Sequence, residues 1–177
     1  ERGSQAYSLI ISGAGGTAYC ASTASSSAGT KLDSVTLNNI VFANTSTNQY
    51  IDNTKQIING EPSGVLNFSI KSASADATNN TRFIKIFIDY NNNGSFESTE
   101  EVAASAALTN GIYSGSINLP ANLVVGAITR LRIVAVETSA ASNVSACGTY
   151  TIGETQDYTI KFNSPSNDLQ LSDIVSP

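Results

Sequence analysis

Between Asp89 and Glu100, oxygen-bearing side chains recur at every second position: Asp89, Asn91, Asn93, Ser95 and Glu97, with Gly94 sixth and the carboxylate of Glu100 twelfth. A hard cation takes roughly six to eight oxygens, and a chain supplies them by winding around the ion with alternate residues. We therefore read Asp89, Asn91, Asn93, Ser95, Glu97 and Glu100 as ligands for Ca2+, with Gly94 permitting the sharp turn and Glu100 closing the shell through two oxygens. Tyr90 and Phe96 are then free to point back into the protein. The same stretch also reads as a metal-free hairpin turn at Asn93-Gly94, a reading that leaves Asp89, Asn91 and Glu100 without a reason for their spacing. Neither flank carries a helix signal: 81–88 is rich in β-formers and 102–108 is short and alanine-rich. The loop is thus expected to leave a β-strand.

Composition excludes most other chemistry. The chain of 177 residues has no histidine, so it holds neither a Ser-His-Asp triad nor a His-based zinc helix. It has no tryptophan, the commonest sugar-stacking side chain, which leaves seven tyrosines and six phenylalanines for that role. A net charge of −5 with no run of Lys or Arg argues against nucleic acid as partner. No apolar stretch approaches the ~18 residues of a membrane span, so no insertion is expected. Charged residues make up 13% of the chain, against about 25% in an average soluble domain; hydroxyls and amides carry its solubility, as in secreted modules. The lack of an initiator methionine or signal peptide reads as a processed or excised piece. Cys20 and Cys147 are too far apart in sequence for a metal knuckle and read as one disulfide, the alternative being two free buried thiols.

The elements that must position these residues are strands. Alternating or continuous runs of β-formers predict strands over 32–42, 56–58, 65–71, 82–89, 111–119, 129–136 and 157–162, separated by Ser, Thr, Asn, Gly and Pro. The run 82–89 is apolar on both faces, which predicts a central strand buried between two layers. The stretch 21–29 reads as a Ser/Ala-rich loop and 44–54 as polar connection. Residues 7–11 read as a short strand and 12–16 as a flexible joint; 163–168 reads as a linker and 169–175 as the first strand of a further domain. The expected class is all-β: an antiparallel sandwich of Greek-key or jelly-roll type over 19–162, with a terminal strand and linker over 1–18 and the start of another domain over 163–177.

Three stretches together resemble one family: Tyr19-Cys20; Phe87-Ile88-Asp89-Tyr90-Asn91 with Gly94, Phe96 and Glu100; and Ala146-Cys147-Gly148 leading to Gly153-Glu154-Thr155-Gln156-Asp157-Tyr158-Thr159-Ile160. The resemblance is to the GEVED domain, and Thr129-Arg130-Leu131-Arg132 is similar to that family's TRMRV-like strand. It implies a β-sandwich module of secreted, multidomain Bacteroidetes proteins, often beside peptidases, fibronectin-like repeats and a type IX secretion sorting tail. The name motif here is GETQD, so Glu154 and Asp157 remain while Thr155 and Gln156 replace the central Val and second Glu. Glu154 and Asp157 either cap a turn through backbone amides or approach the loop as additional metal ligands. Arg130 and Arg132 share a strand face and either pair with the acids or meet an anionic sugar or partner. Asp33-Ser34-Val35 resembles the short O-glycosylation signal of Bacteroidetes, with Ser34 as acceptor.

The function expected from these readings is a non-catalytic, Ca2+-stabilised accessory or adhesion module of a secreted or cell-surface protein, aiding the binding of polysaccharide or extracellular protein beside flanking domains. The alternative is a structural repeat of an extracellular filament that self-assembles by strand addition. An enzyme using a carboxylate pair from Asp89, Glu100, Glu101, Glu154 or Asp157 for glycoside cleavage is the least favoured reading, since the same acids serve as ligands.

Overall fold

The computed structural model describes residues 18–72, 81–108 and 111–165, and among these the chain forms a two-layer β-sandwich. The strands are β1 (Ser22–Ser26), β2 (Leu32–Leu37), β3 (Ile40–Ala43), β4 (Tyr50–Gly60), β5 (Val65–Ser72), β6 (Arg82–Ile88), β7 (Glu101–Ala104), β8 (Gly111–Asn118), β9 (Ile128–Glu137) and β10 (Gly148–Phe162). One sheet runs β3-β2-β5-β8 and is antiparallel throughout. The other runs β1-β10-β9-β6-β7, with β4 also on β10; β1 and β4 both lie parallel to β10 and its remaining pairs are antiparallel. The expectations for 7–11, 12–16 and 169–175, and for the linker beyond Pro165, fall outside the described residues.

Alternation along the strands builds two apolar layers, because neighbouring side chains on a strand face opposite ways. Ile84, Ile86 and Ile88 of β6, Leu131, Ile133 and Ala135 of β9, and Tyr158, Ile160 and Phe162 of β10 point between the sheets. There they meet Leu32, Val35, Leu37, Leu66, Phe68 and Ile70 of the smaller sheet. The opposite side of the larger sheet has a second cluster, Phe87, Val134, Val136, Val144 and Ala146, with Phe83, Phe96, Cys147 and Tyr150 against it. This explains why β6 is apolar on both faces: it lies under two cores, as its sequence predicts.

Several elements differ from the sequence reading: β4 spans Tyr50–Gly60 where a polar connection over 44–54 and a strand over 56–58 are expected, and β7 falls where no strand is expected. The run 32–42 is a hairpin, not one strand, since Asn38 takes φ +51° and turns the chain between β2 and β3; asparagine tolerates that left-handed region better than most residues. The Ser/Ala segment contains β1, whose Ser22 hydroxyl bonds that of Thr155 at 2.8 Å. The last strand is 15 residues long and begins at Gly148, nine residues before the expected start. Within it Gly153 is required sterically, because a Cβ there would stand 2.7 Å from the carbonyl oxygen of Ala135 on β9.

Cys20 and Cys147 form a disulfide across a sequence separation of 127, their Cα atoms 5.6 Å apart. It joins the segment that leads into β1 to the loop 138–147 that covers the outer cluster. The chain-entropy model gives such a closure at most about 5 kcal/mol. Cys20→Ser/Cys147→Ser is therefore expected to unfold at lower denaturant with loss of up to that amount; equal midpoints for the oxidised protein and the double variant by urea titration would remove the disulfide from the account of stability.

Candidate functional site

The loop 89–100 leaves the end of β6 and returns through a single 3₁₀ turn, Ser98–Glu100, into β7. Its first acid is fixed before the loop begins. Asp89 donates its backbone N–H to the Arg130 carbonyl (3.1 Å) and its own carbonyl accepts the Thr129 hydroxyl (2.8 Å). The Asp89 carboxylate, fully buried, accepts Asn93 N on Oδ1 (3.2 Å), and on Oδ2 both Gly94 N (2.9 Å) and the Tyr19 hydroxyl (2.6 Å). Asn92 at φ +56° and Gly94 at φ +84° supply the left-handed turns that curl the loop around this carboxylate. Asn91 Oδ1 accepts Asn93 N (3.0 Å) and Asn93 Oδ1 accepts Ser95 N (2.8 Å).

Glu100 closes the ring. Its Oε1 accepts the backbone N–H of Tyr90 (2.8 Å) and Asn91 (3.4 Å), and its Oε2 that of Glu97 (3.1 Å), so the last acid staples the loop's start to its end. Glu97 receives the amide groups of Asn91 (3.2 Å) and Asn93 (2.6 Å). The Glu97 and Glu100 carboxyl groups also share a hydrogen bond: burial, then this contact, pushes Glu100 up, while the same contact and Asn93 hold Glu97 below its ordinary value. Two carboxyl groups in such contact favour a shared proton, or a cation between them.

Whether these residues suit a divalent ion is decided by their chemistry. Among the described residues no group of three or more His, Cys, Asp or Glu is arranged to hold a metal by itself, so any shell must draw on amide and hydroxyl oxygens. The loop supplies them. Asp89 Oδ1, Asn91 Oδ1 and Asn93 Oδ1 each accept one backbone hydrogen and retain a second lone pair. The set is all oxygen and bears three carboxylates, which suits Ca2+ better than a softer metal.

The intervening aromatics point inward as the spacing predicts. Tyr90 packs against the main core with its ring 6.4 Å from Phe162. Phe96 closes the outer cluster, 5.2 Å from Tyr19 and 6.0 Å from Phe87, with the Arg132 guanidinium 5.1 Å from its ring centre.

Glu154 and Asp157 part company because three residues along a strand reverse the face. Both sit inside β10, not at a turn. Asp157 faces outward, fully buried under the cover of the larger sheet, and takes Arg132 Nε at 2.7 Å and NH2 at 2.8 Å, Arg130 NH1 at 2.6 Å and the Tyr50 hydroxyl at 2.9 Å. Arg132 NH1 continues to the carbonyls of Cys20 (2.9 Å) and Ala146 (2.7 Å) beside the disulfide. Asp157 thus reaches the loop through its two arginines: Arg132 lies against Phe96, and Arg130 lies 4.7 Å over the ring of Tyr19, whose hydroxyl holds Asp89. Burial and that bond to Asp89 push the Tyr19 phenol up to about 12. Sequence spacing revealed the acids and the arginines but not this clamp, since nothing in a linear pattern pairs Arg132 with both Asp157 and the disulfide.

Glu154 faces the space between the sheets. Its Oε1 accepts Gln156 Nε2 (2.6 Å), Asn44 Nδ2 (3.1 Å) and Leu32 N (3.4 Å); its Oε2 is buried with no hydrogen-bond partner among the described residues. Gln156 in turn accepts the Tyr158 hydroxyl. Burial pushes Glu154 up to about 7. Ser34 lies half-buried on β2, on the side away from the core residue Val35, and pairs with Ala43 and Lys71.

The fold and this layer define a disulfide-clasped β-sandwich module. Residues 83–161 match the family model of the GEVED domain. The match runs from β6 through β10 and takes in the loop, both arginines and the GETQD motif; Tyr19 and Cys20 complete the same layer from outside it. No curated protein and no solved structure matches the chain significantly.

Two outcomes follow. Asp157→Asn leaves two guanidiniums facing a neutral amide, so a loss of about 3–5 kcal/mol is expected by denaturant titration; a change within about 0.5 kcal/mol would remove the clamp from the account. Glu154 has a folded pKa near 7, above its ordinary 4.5. The neutral form therefore favours the fold: its stabilising effect is complete below about pH 4.5 and is lost as pH rises towards 7 and beyond, by up to roughly 3 kcal/mol. Subtracting the stability curve of Glu154→Gln from that of the wild type should reveal this fall, and a flat difference between pH 4 and 8 would contradict it.

Proposed function

We propose that this chain is a non-catalytic module of an extracellular protein, held together by Ca2+ and a disulfide, that helps its parent protein bind polysaccharide or protein. The observation that carries the reading is the closed ring of Asp89, Asn91, Asn93, Glu97 and Glu100 on the exit of a buried strand. Its acids are committed to loop closure and cation supply, and its inward aromatics are committed to packing. A filled ion there relieves the Glu97–Glu100 contact and fixes Phe96 over the outer cluster, which is a structural role. Ca2+ at extracellular, millimolar concentration keeps even a weak loop site occupied. The disulfide suits the same compartment. Secretion by a Bacteroidetes type IX route, and a glycan on Ser34, belong to this reading as further proposals supported by the family resemblance and the Asp33-Ser34-Val35 signal.

A second reading, assembly into filaments by strand addition, is favoured by β8, an outer strand of the smaller sheet that is largely exposed and carries Ile112 at 61% exposure.

Calcium decides the first reading. Chelation with EDTA is expected to lower Tm by several degrees, with calcium restoring it, and Glu100→Gln should abolish the response. A melting curve unmoved by chelation and readdition contradicts the calcium claim. Light scattering tests the second: a protein that remains monomeric at high concentration contradicts assembly.

A further inference from the structure

The outer face of the larger sheet carries a cleft that the metal loop does not use. Its volume is about 280 Å3, and it lies between the entering segment 19–23 and the start of β4, over Arg130, Arg132 and Asp157. Ligand pockets begin at roughly 300 Å3, so the space suits one ring of a longer molecule. Tyr19 and Tyr50 both line it.

The polar groups in the cleft are unequally committed. Arg132 has all three guanidinium nitrogens engaged, with Asp157 and with the carbonyls of Cys20 and Ala146. Asp157 is saturated by two arginines and Tyr50. Arg130 uses NH1 on Asp157, while its side chain is 25% exposed, lines the cleft and carries further N–H donors beyond that bond. The two tyrosine hydroxyls donate inward, to Asp89 and Asp157, and so leave their rings as the surface lining the cleft. Thr23, half-buried, adds a hydroxyl at the rim. The cleft therefore combines guanidinium and hydroxyl groups with tyrosine ring surface, a mixture that a polyhydroxylated ligand satisfies.

Charge decides between ligand types. The guanidiniums of Arg130 and Arg132 are outnumbered by the carboxylates of Asp157, Asp89 and Asp52, the last close enough to Arg130 to feel its charge. A polyanion gains nothing there, and the net charge of −5 repels it from a distance. Aromatic surface points the same way. The Tyr19 ring is occupied by Arg130 at 4.7 Å and Phe96 at 5.2 Å, whereas Tyr50 is 39% exposed and sits at the tip of β4. Its hydroxyl is anchored on Asp157, so the ring is held in place before any ligand arrives, and little side-chain freedom is lost on binding.

We propose that this cleft binds one sugar ring of a neutral polysaccharide, stacked on Tyr50 and hydrogen-bonded by the free N–H groups of Arg130 and the hydroxyl of Thr23. The proposal rests on the reading of the module as a polysaccharide binder and places that activity at a specific surface. It also assigns Arg130 two tasks, since the group that meets the sugar is the one stacked on Tyr19 and thereby tied to Asp89.

The test is calorimetric titration of the calcium-loaded full chain with β-1,4-linked hexaoses of glucose, xylose and mannose, and with hexagalacturonate as the acidic counterpart. At least one neutral hexaose is expected to bind and hexagalacturonate to bind more weakly. Tyr50→Ala should weaken the neutral ligand by about tenfold, the scale of one lost aromatic contact, while Tyr50→Phe, which keeps the ring but loses its anchor on Asp157, weakens it less. In wild-type protein the Tyr50 ring resonances should shift on ligand addition, a readout independent of how well the alanine variant folds. Binding of a neutral hexaose with no shift at Tyr50, and unchanged in Tyr50→Ala, overturns the cleft while leaving the polysaccharide reading intact. Binding of none of the four overturns both, and preference for hexagalacturonate overturns the neutral-sugar assignment.

Discussion

The buried pair of Arg132 and Asp157 is the interaction on which the outer layer depends. Both side chains are almost wholly out of water, and two near-parallel bonds of 2.7 and 2.8 Å join them across β9 and β10. Taking two ions out of water is expensive unless their remaining donors and lone pairs are met. Here they are met by Arg130, Tyr50 and the carbonyls of Cys20 and Ala146. The solvation requirement of one ion pair therefore dictates where the entering segment, the disulfide loop and the start of β4 must lie. A hydrophobic pair of the same size would pack, but it would not specify those positions.

From this pair the loop 89–100 is one step away in two directions. The Arg132 guanidinium lies on Phe96, which plugs the outer cluster between two candidate ligands, Ser95 and Glu97. Arg130, sharing Asp157, lies on Tyr19, whose hydroxyl holds Asp89. The loop, the disulfide and the GETQD strand are three parts of one cover over the larger sheet. On the opposite face of β10, Glu154 and Gln156 form a separate polar island between the sheets with Asn44 and Tyr158. The motif thus divides its labour by parity: even positions serve the interior, odd positions the cover.

Much of this was legible in the sequence and some could not have been. The β-sandwich class followed from alternation, and β5, β6, β8 and β9 stand where apolar periodicity put them. Strands whose side chains are polar escaped in whole or in part: β1 is Ser/Ala-rich, β4 is an outer strand of which only 56–58 was expected, and β10 ahead of its expected start buries Glu154, Thr155 and Gln156. Hydrophobic pattern reports burial only where burial is apolar, and these polar residues are buried because partners distant in sequence satisfy them. The hairpin at Asn38 was missed for a different reason, since Asn38-Asn39 is a weaker turn signal than Asn-Gly. At the candidate site the ligand spacing was visible, as were the acids of GETQD, but two alternatives for Glu154 and Asp157 stood open until strand parity placed them on opposite faces. The parity could have been read from their spacing of three had β10 been recognised as starting before Gly153.

If the cover is one cooperative unit, its parts must open together. Native-state hydrogen exchange, with calcium and with chelator, measures this at two amides far apart in sequence: Gly94, bonded to the Asp89 carboxylate at 2.9 Å, and Gly148, bonded to the Ala21 carbonyl at 2.9 Å. The account predicts that both lose protection to a similar degree when calcium is removed. Loss at Gly94 with Gly148 unchanged would show that the loop opens alone, and would contradict the account.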